Sequence, residues 1–125
     1  GKLLKLSMQR MAYLAKDDND AKEKIKMAHE YYKRFDNMFT GPGKVKSGSV
    51  EPLPRKQSVE ELKDNLLICT LNEMIDKLSL YADSGVDEVI LSSSFGQSQN
   101  DLEQSMQRIG ENIIPYFKKS NIKVA

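Results

Sequence analysis

One cysteine, one histidine and no apolar run near the length of a membrane span are what this 125-residue chain first shows by omission. A single cysteine excludes an internal disulfide framework and suits a reducing compartment, so a cytoplasmic location is expected. One His with one Cys cannot furnish a Cys/His zinc site, and no metal centre is expected. Crossing a bilayer takes roughly 20 consecutive apolar residues. No stretch approaches that, and no signal-peptide pattern opens the chain. An excess of charge of one sign is missing too: 19 basic residues against 18 acidic ones give a net charge of +1. No overall field therefore draws the chain to nucleic acid or to a membrane. There is no Gly-rich phosphate loop of the nucleotide or dinucleotide type, and no repeat at the periods of helical arrays. The length fits a single domain with one core, residues 1–125. Gly1 in place of Met leads us to expect a processed or recombinant N-terminus and a chain that need not be a whole gene product.

What is present is a succession of helical and strand-like segments. Ser7 to Ala15 has strand character. The acidic turn Asp17 to Asp20 offers cap oxygens and complements a helix dipole. From Ala21 the apolar positions Ala21, Ile25, Ala28, Tyr32, Phe35 and Phe39 alternate by four and three, which predicts a long amphipathic helix ending before Gly41. Lys22, Glu23, Lys24, Lys26, Glu30, Lys33 and Arg34 read as its solvated face. Residues 41–57 hold three Gly, three Pro and four basic residues, and read as a long loop, either lid or linker. Ser58 with Glu61 forms a capping box ahead of a short helix. Leu66 to Cys69 reads as a strand.

The clearest unit follows. Thr70 with Glu73 forms a second capping box, and Leu71, Met74, Ile75, Leu78 and Tyr81 recur at helical spacing. Gly85 closes the helix by adopting a left-handed conformation. Val86 to Leu91 then predicts a buried strand. A last helix runs from about Ser98 to Phe117 with Leu102, Met106, Ile109, Ile113 and Phe117 on one face, kinked by Pro115. Strands alternating with helices predict a parallel α/β sheet. Three strands are few for one, and would leave edges and apolar helix surface for a partner to cover.

Three segments together resemble the C-terminal part of the bacterial luciferase-like, flavin-dependent monooxygenases. They are Ala12 to Ala21, a strand entering an acidic turn; Ile68 to Leu78 with Ala82 to Asp87; and the closing Ile113-Ile114-Pro115-Tyr116-Phe117. Cys69 stands where the family usually has glycine, and Leu71 where it usually has proline. The resemblance covers roughly residues 8–118 and implies a partial (β/α)8 TIM barrel, about the last three βα units. A whole barrel needs about 250 residues. It further implies a parent that uses reduced FMN and O2 to oxygenate a small organic substrate. Much of the flavin and phosphate site would lie on earlier strands, so this chain alone is expected to bind no cofactor and to be inactive. Its expected partner is the rest of the barrel or another copy of itself. The alternatives are a standalone, self-associating α/β protein without catalysis, and an F420-dependent relative.

Barrel active sites lie at the carboxyl ends of strands. Ser92, Ser93, Ser94 and Phe95 are therefore the candidate cavity-lining segment, against an ordinary polar strand-to-helix loop. Phe39, Gly41, Pro42, Gly43 and Lys44 are candidates for a lid, against a plain connector. Lys44, Lys46, Arg55 and Lys56 are the most basic stretch, read as solvated. His29 and Cys69 read as structural, and the methionines as core filling. No residue presents itself as catalytic.

Overall fold

A computed structural model describes residues 4–39, 45–50, 57–118 and 122–125. Its strands and helices alternate: β1 (Ser7–Leu14), α1 (Asp18–Phe39), β2 (Val45–Lys46), β3 (Ser49–Val50), α2 (Val59–Asn65), β4 (Leu67–Cys69), α3 (Leu71–Asp83), β5 (Glu88–Ser92), α4 (Gln99–Asn112), α5 (Ile114–Phe117) and β6 (Lys123–Val124). The four main strands form one sheet in the order β4-β1-β5-β6, and every pair in it is parallel. A mixed α/β architecture with a parallel sheet is thus present, as the sequence predicts. The order of the strands is a finding of its own. In a barrel whose strands run consecutively, β4 would lie between β1 and β5; here β1 lies between β4 and β5.

The period-2 alternation of strand side chains divides the core in two. Ala12 and Leu14 of β1 join Leu67, Cys69, Met74, Leu78, Val89, Ile109, Ile113 and Phe117. Met11, Tyr13 and Ala15 point the other way, to Ile25, Ala28, Leu62, Ile68 and Phe95. Helices α3, α4 and α5 therefore cover one face, and α1 with α2 the other. Over β5 the second face is uncovered, and Ile90 is 44% exposed there.

Local signals explain most element boundaries. The Ser58 hydroxyl accepts from the Glu61 N–H at 3.1 Å, and the Ser98 hydroxyl from the Asp101 N–H at 3.1 Å, each satisfying an otherwise orphan helix donor. Gly85 takes φ +91°, as its place after α3 requires. Thr70 departs from expectation and makes no side-chain cap bond. That helix is held at its start by the Met74 N–H to Thr70 C=O bond, 3.0 Å, and by burial of Met74 and Leu78.

Four further differences stand out. A fourth strand, β6, pairs with β5, where the sequence predicted three strands in all. Part of the expected 41–57 loop is a small antiparallel hairpin, β2–β3, turning through Ser47 at φ 52° and Gly48 at φ 79°. The last helix is broken at Ile113, just ahead of Pro115, rather than merely kinked. Its buried face carries Ser105, while Met106 is 55% exposed, a shift of one residue from the predicted stripe.

Candidate functional site at the carboxyl ends of the central strands

Strand β5 runs beside β1 from the Ser7–Glu88 pair to the Met11–Ser92 pair, and β4 beside it from Ala12 to Leu14. Past Met11 the central strand therefore keeps β4 and loses β5. The Ala15 N–H still reaches the Cys69 carbonyl at 2.9 Å. Backbone groups of successive residues in a strand point to opposite sides, so those of Leu14 face the side that β5 has left. Helix α4 fills the vacancy. The Leu14 N–H donates to the Ser105 hydroxyl at 2.9 Å, and the Arg108 Nε–H donates to the Leu14 carbonyl at 3.0 Å. In open parallel sheets the crevice beyond the carboxyl ends, where the direction of strand winding reverses, is the usual ligand position. Here that position lies between β1 and β5.

A closed set of charges surrounds it. Lys24, on the face of α1 read as solvated, is only 2% exposed. Its ammonium lies 2.9 Å from Asp20 and 3.1 Å from Asp101 at the start of α4, with Glu23 at 3.4 Å. The same ammonium is 5.2 Å from the centre of the Tyr13 ring, and the Arg108 guanidinium 5.9 Å. The Tyr13 hydroxyl donates to Asp20 at 3.1 Å, as does the Lys16 N–H at 3.0 Å. Tyr13 in turn meets Phe95 edge-on, with centroids 6.0 Å apart.

The energetics follow from this geometry. Burial opposes charge on Asp20, but the Lys16 N–H and the Lys24 ammonium outweigh it and hold the carboxyl below its ordinary range. Burial likewise opposes charge on Lys24, and its hydrogen bonds to Asp20 and Asp101 reverse that and raise its pKa. Asp101 is lowered chiefly by the hydrogen bond from Lys24. Burial, then the Asp20 charge, pushes the Tyr13 phenol up. Each of these four shifts moves the group's titration away from neutrality. None is poised to move a proton, and the cluster works as a clamp between α1 and α4 over the end of β1.

This clamp also decides what the two helix starts can bind. A helix N-terminus attracts anions, but α1 carries Asp18 and Asp20 in its first turn, and α4 carries Asp101. A phosphate brought there would meet carboxylates.

Of the residues singled out in the sequence, Phe95 is buried edge-on against Tyr13 and also borders an open groove with Met27, Glu30, Arg34 and Gly96. Ser92 ends β5 and accepts from the Gln9 amide. The Ser93 carbonyl accepts from Gln97, whose side-chain oxygen takes the Phe95 N–H at 2.8 Å. Ser94 is exposed. Of the lid candidates, Phe39 ends α1; Gly41, Pro42, Gly43 and Lys44 lie outside the described residues, as do Arg55 and Lys56. Lys46 lies in β2. His29 is part-buried, with Nε2 2.9 Å from the Gln57 carbonyl. Cys69 is 1% exposed, and burial pushes its thiol up to about 11, which suits an inert core residue.

Tyr13, Asp20, Lys24, Asp101 and Arg108 were not singled out, since the sequence gives no sign that Lys24 meets a residue on a helix so distant in the chain. A groove of about 400 Å³ lies between α1, α2 and the start of α3, floored by Ile25 and Val59 and edged by Lys22, Lys63 and Glu73. Among the described residues no three His, Cys, Asp or Glu side chains gather as a metal site. No described helix is long and apolar enough to cross a membrane.

The chain is 23% identical to the oxygenase component of the flavin-dependent trigonelline monooxygenase of Acinetobacter baylyi, over an alignment of 124 positions that takes in 94% of this chain. It spans 34% of that protein's length, about a third. No protein-family model and no solved structure matches it.

Proposed function

We propose that this chain is the C-terminal portion of a luciferase-like, FMN-dependent monooxygenase, about the last three βα units of a (β/α)8 barrel. The whole protein would oxygenate a small organic substrate with reduced flavin and O2. The observation that carries this is the similarity, across nearly the whole chain, to an oxygenase component described as flavin-dependent. The flavin supplies the oxygen chemistry when bound, and the protein binds, orients and excludes water.

The site at the carboxyl ends of β1 and β5 does not suit the flavin phosphate. The starts of α1 and α4 carry their own carboxylates, and Lys24 and Arg108 are already engaged. In this reading the phosphate is held by the remainder of the parent. This portion contributes a wall: the uncovered sheet face bears Ser7, Gln9, Glu88 and Ser92, joined by the Ser7–Glu88 and Gln9–Ser92 hydrogen bonds.

A second reading is a standalone α/β protein without catalysis. The strand order favours it, because β4-β1-β5-β6 with helices on both faces is the winding of an open sheet. The two part on the size and flavin affinity of the native product. Peptides from this chain found in a protein of about 250 residues or more that binds reduced FMN support the oxygenase. A native product the size of this chain, without flavin affinity, overturns it and leaves the standalone protein.

A further inference from the structure

The groove of about 400 Å³ between α1, α2 and the start of α3 has the size of a small-molecule site, for which roughly 300–1,000 Å³ is usual. It shares no lining residue with the Lys24 clamp. Ala21, Ile25 and Val59 give it an apolar floor. Three carboxylates, Asp18, Glu60 and Glu73, and three ammonium groups, Lys22, Lys26 and Lys63, complete the lining. All six side chains are exposed, so a ligand reaches them without any rearrangement of the chain.

Elsewhere opposite charges at short helical spacing pair. Lys24 meets Asp20 at 2.9 Å, four residues before it, and Lys33 meets Glu30 at 3.0 Å, three before it. In the groove Asp18 stands four residues before Lys22, and Glu60 three before Lys63. Yet among the described residues none of the six charged side chains forms an ion pair or a side-chain hydrogen bond. The signs are also sorted along two of the walls. Asp18 opens α1, and Lys22 and Lys26 follow about one and two turns later, each turn about 5.4 Å. Glu73 lies in the first turn of α3, and Lys63 is joined further along that helix, its carbonyl accepting from Lys77 at 3.2 Å. Asp18 and Glu73 thus mark the starts of the helices that leave β1 and β4.

A monoanion in this groove gains from the lysines and loses to the carboxylates, and a monocation does the reverse. A molecule with both charges about one helical turn apart gains at each end. The floor favours an apolar frame between them. Glu60, beside the lysine end, makes a dianion such as phosphate a poor fit. We infer that this groove binds a small zwitterion, an ammonium and a carboxylate on an apolar frame. Its ammonium points to Asp18 and Glu73, and its carboxylate to Lys22, Lys26 and Lys63. The inference does not rest on the oxygenase reading.

The test titrates the intact chain with para-(aminomethyl)benzoate at pH 7 and constant ionic strength. Its single-charge counterparts are para-toluate, which lacks the ammonium, and para-methylbenzylamine, which lacks the carboxylate. Binding is followed by NMR on the Ile25 and Val59 methyl groups of the floor. The zwitterion is expected to shift both saturably, and each counterpart to bind at least about threefold more weakly, the factor that one solvent-screened ion pair supplies. Lys22→Gln should weaken the zwitterion and toluate and spare the amine. Glu73→Gln should weaken the zwitterion and the amine and spare toluate. A counterpart that binds as tightly as the zwitterion would mean that one sign, or the apolar floor alone, is read. No saturable shift would mean a merely solvated rim, and variants that change all three probes alike would mean that the charges do not act at these ends. Each of these overturns the inference, and the three probes on the unaltered chain decide it even if a variant fails to fold.

Discussion

Replacing Ser105 by alanine isolates the contact through which α4 takes the place of a strand. The substitution removes a hydroxyl from a fully buried position and leaves the Leu14 N–H, also buried, with no acceptor. Stranding a buried donor costs about 1–3 kcal/mol, against which alanine returns about 0.5 kcal/mol of helix propensity. The net loss is then about 0.5–2.5 kcal/mol, lowering the midpoint by about 3–5 °C per kcal/mol for a chain of this size. Urea unfolding followed by circular dichroism measures the loss, and amide hydrogen exchange locates it. The Leu14 amide should exchange faster in the variant while the Ala15 amide, bonded to Cys69, keeps its protection. Met106→Ala, next along the helix but exposed, serves as the control and should stay within about 0.5 kcal/mol. A neutral Ser105→Ala with Leu14 still protected would refute the view that this hydroxyl stands in for β5.

Lys24→Met should destabilise the protein at pH 7 far more than Lys26→Met, because it leaves Asp20 and Asp101 facing each other without their shared cation; the gap in urea midpoints should narrow in acid. The native Asp20 pKa lies below its ordinary value of 3.8, so its contribution is complete above that pH and is lost as pH falls through the native value. Lys24 is raised above 10.5, so its contribution is whole below that pH and is lost only as pH climbs through the native value. Stability from this cluster should therefore be level from about pH 5 to 9. Cys69 should resist a thiol reagent at pH 8 in the folded protein and react at once in guanidinium chloride; rapid labelling of the native state would contradict its burial. Gly85→Ala meets nothing within 4 Å of the new Cβ, yet the φ of +91° should still cost about 1–2 kcal/mol in urea unfolding.

The sequence made legible what depends on near neighbours. The long helix could be read because Ile25 and Ala28 fall on one stripe, and the turn at Gly85 because a left-handed residue must follow α3. The cap at Ser58 belongs to the same class, although Thr70 shows that a capping pattern need not be used. What stayed hidden depends on distant pairs. β6 is two residues long and exists through its pairing with Glu88 and Val89. Ser105 is buried because Leu14 needs an acceptor, a demand that no hydropathy stripe records. Lys24 looks like any surface lysine until Asp101 is brought beside it. The serines chosen as cavity lining lie at the carboxyl end of β5, where the Ser92 hydroxyl accepts from Gln9 of β1 and the Ser93 carbonyl from the Gln97 amide, the first of these a partner far away in the chain.

The central place of β1 sets the timetable of folding. Its partners on one side, residues 67–69, and on the other, residues 88–92, both come much later in the chain. During synthesis the strand destined for the middle of the sheet must wait, both edges bare, until most of the chain has emerged. Long-range pairing of this kind slows folding and exposes strands to capture by other molecules. Chains released before residue 92 would keep one edge of β1 open along Ser7 to Met11. They should be the species that aggregates first.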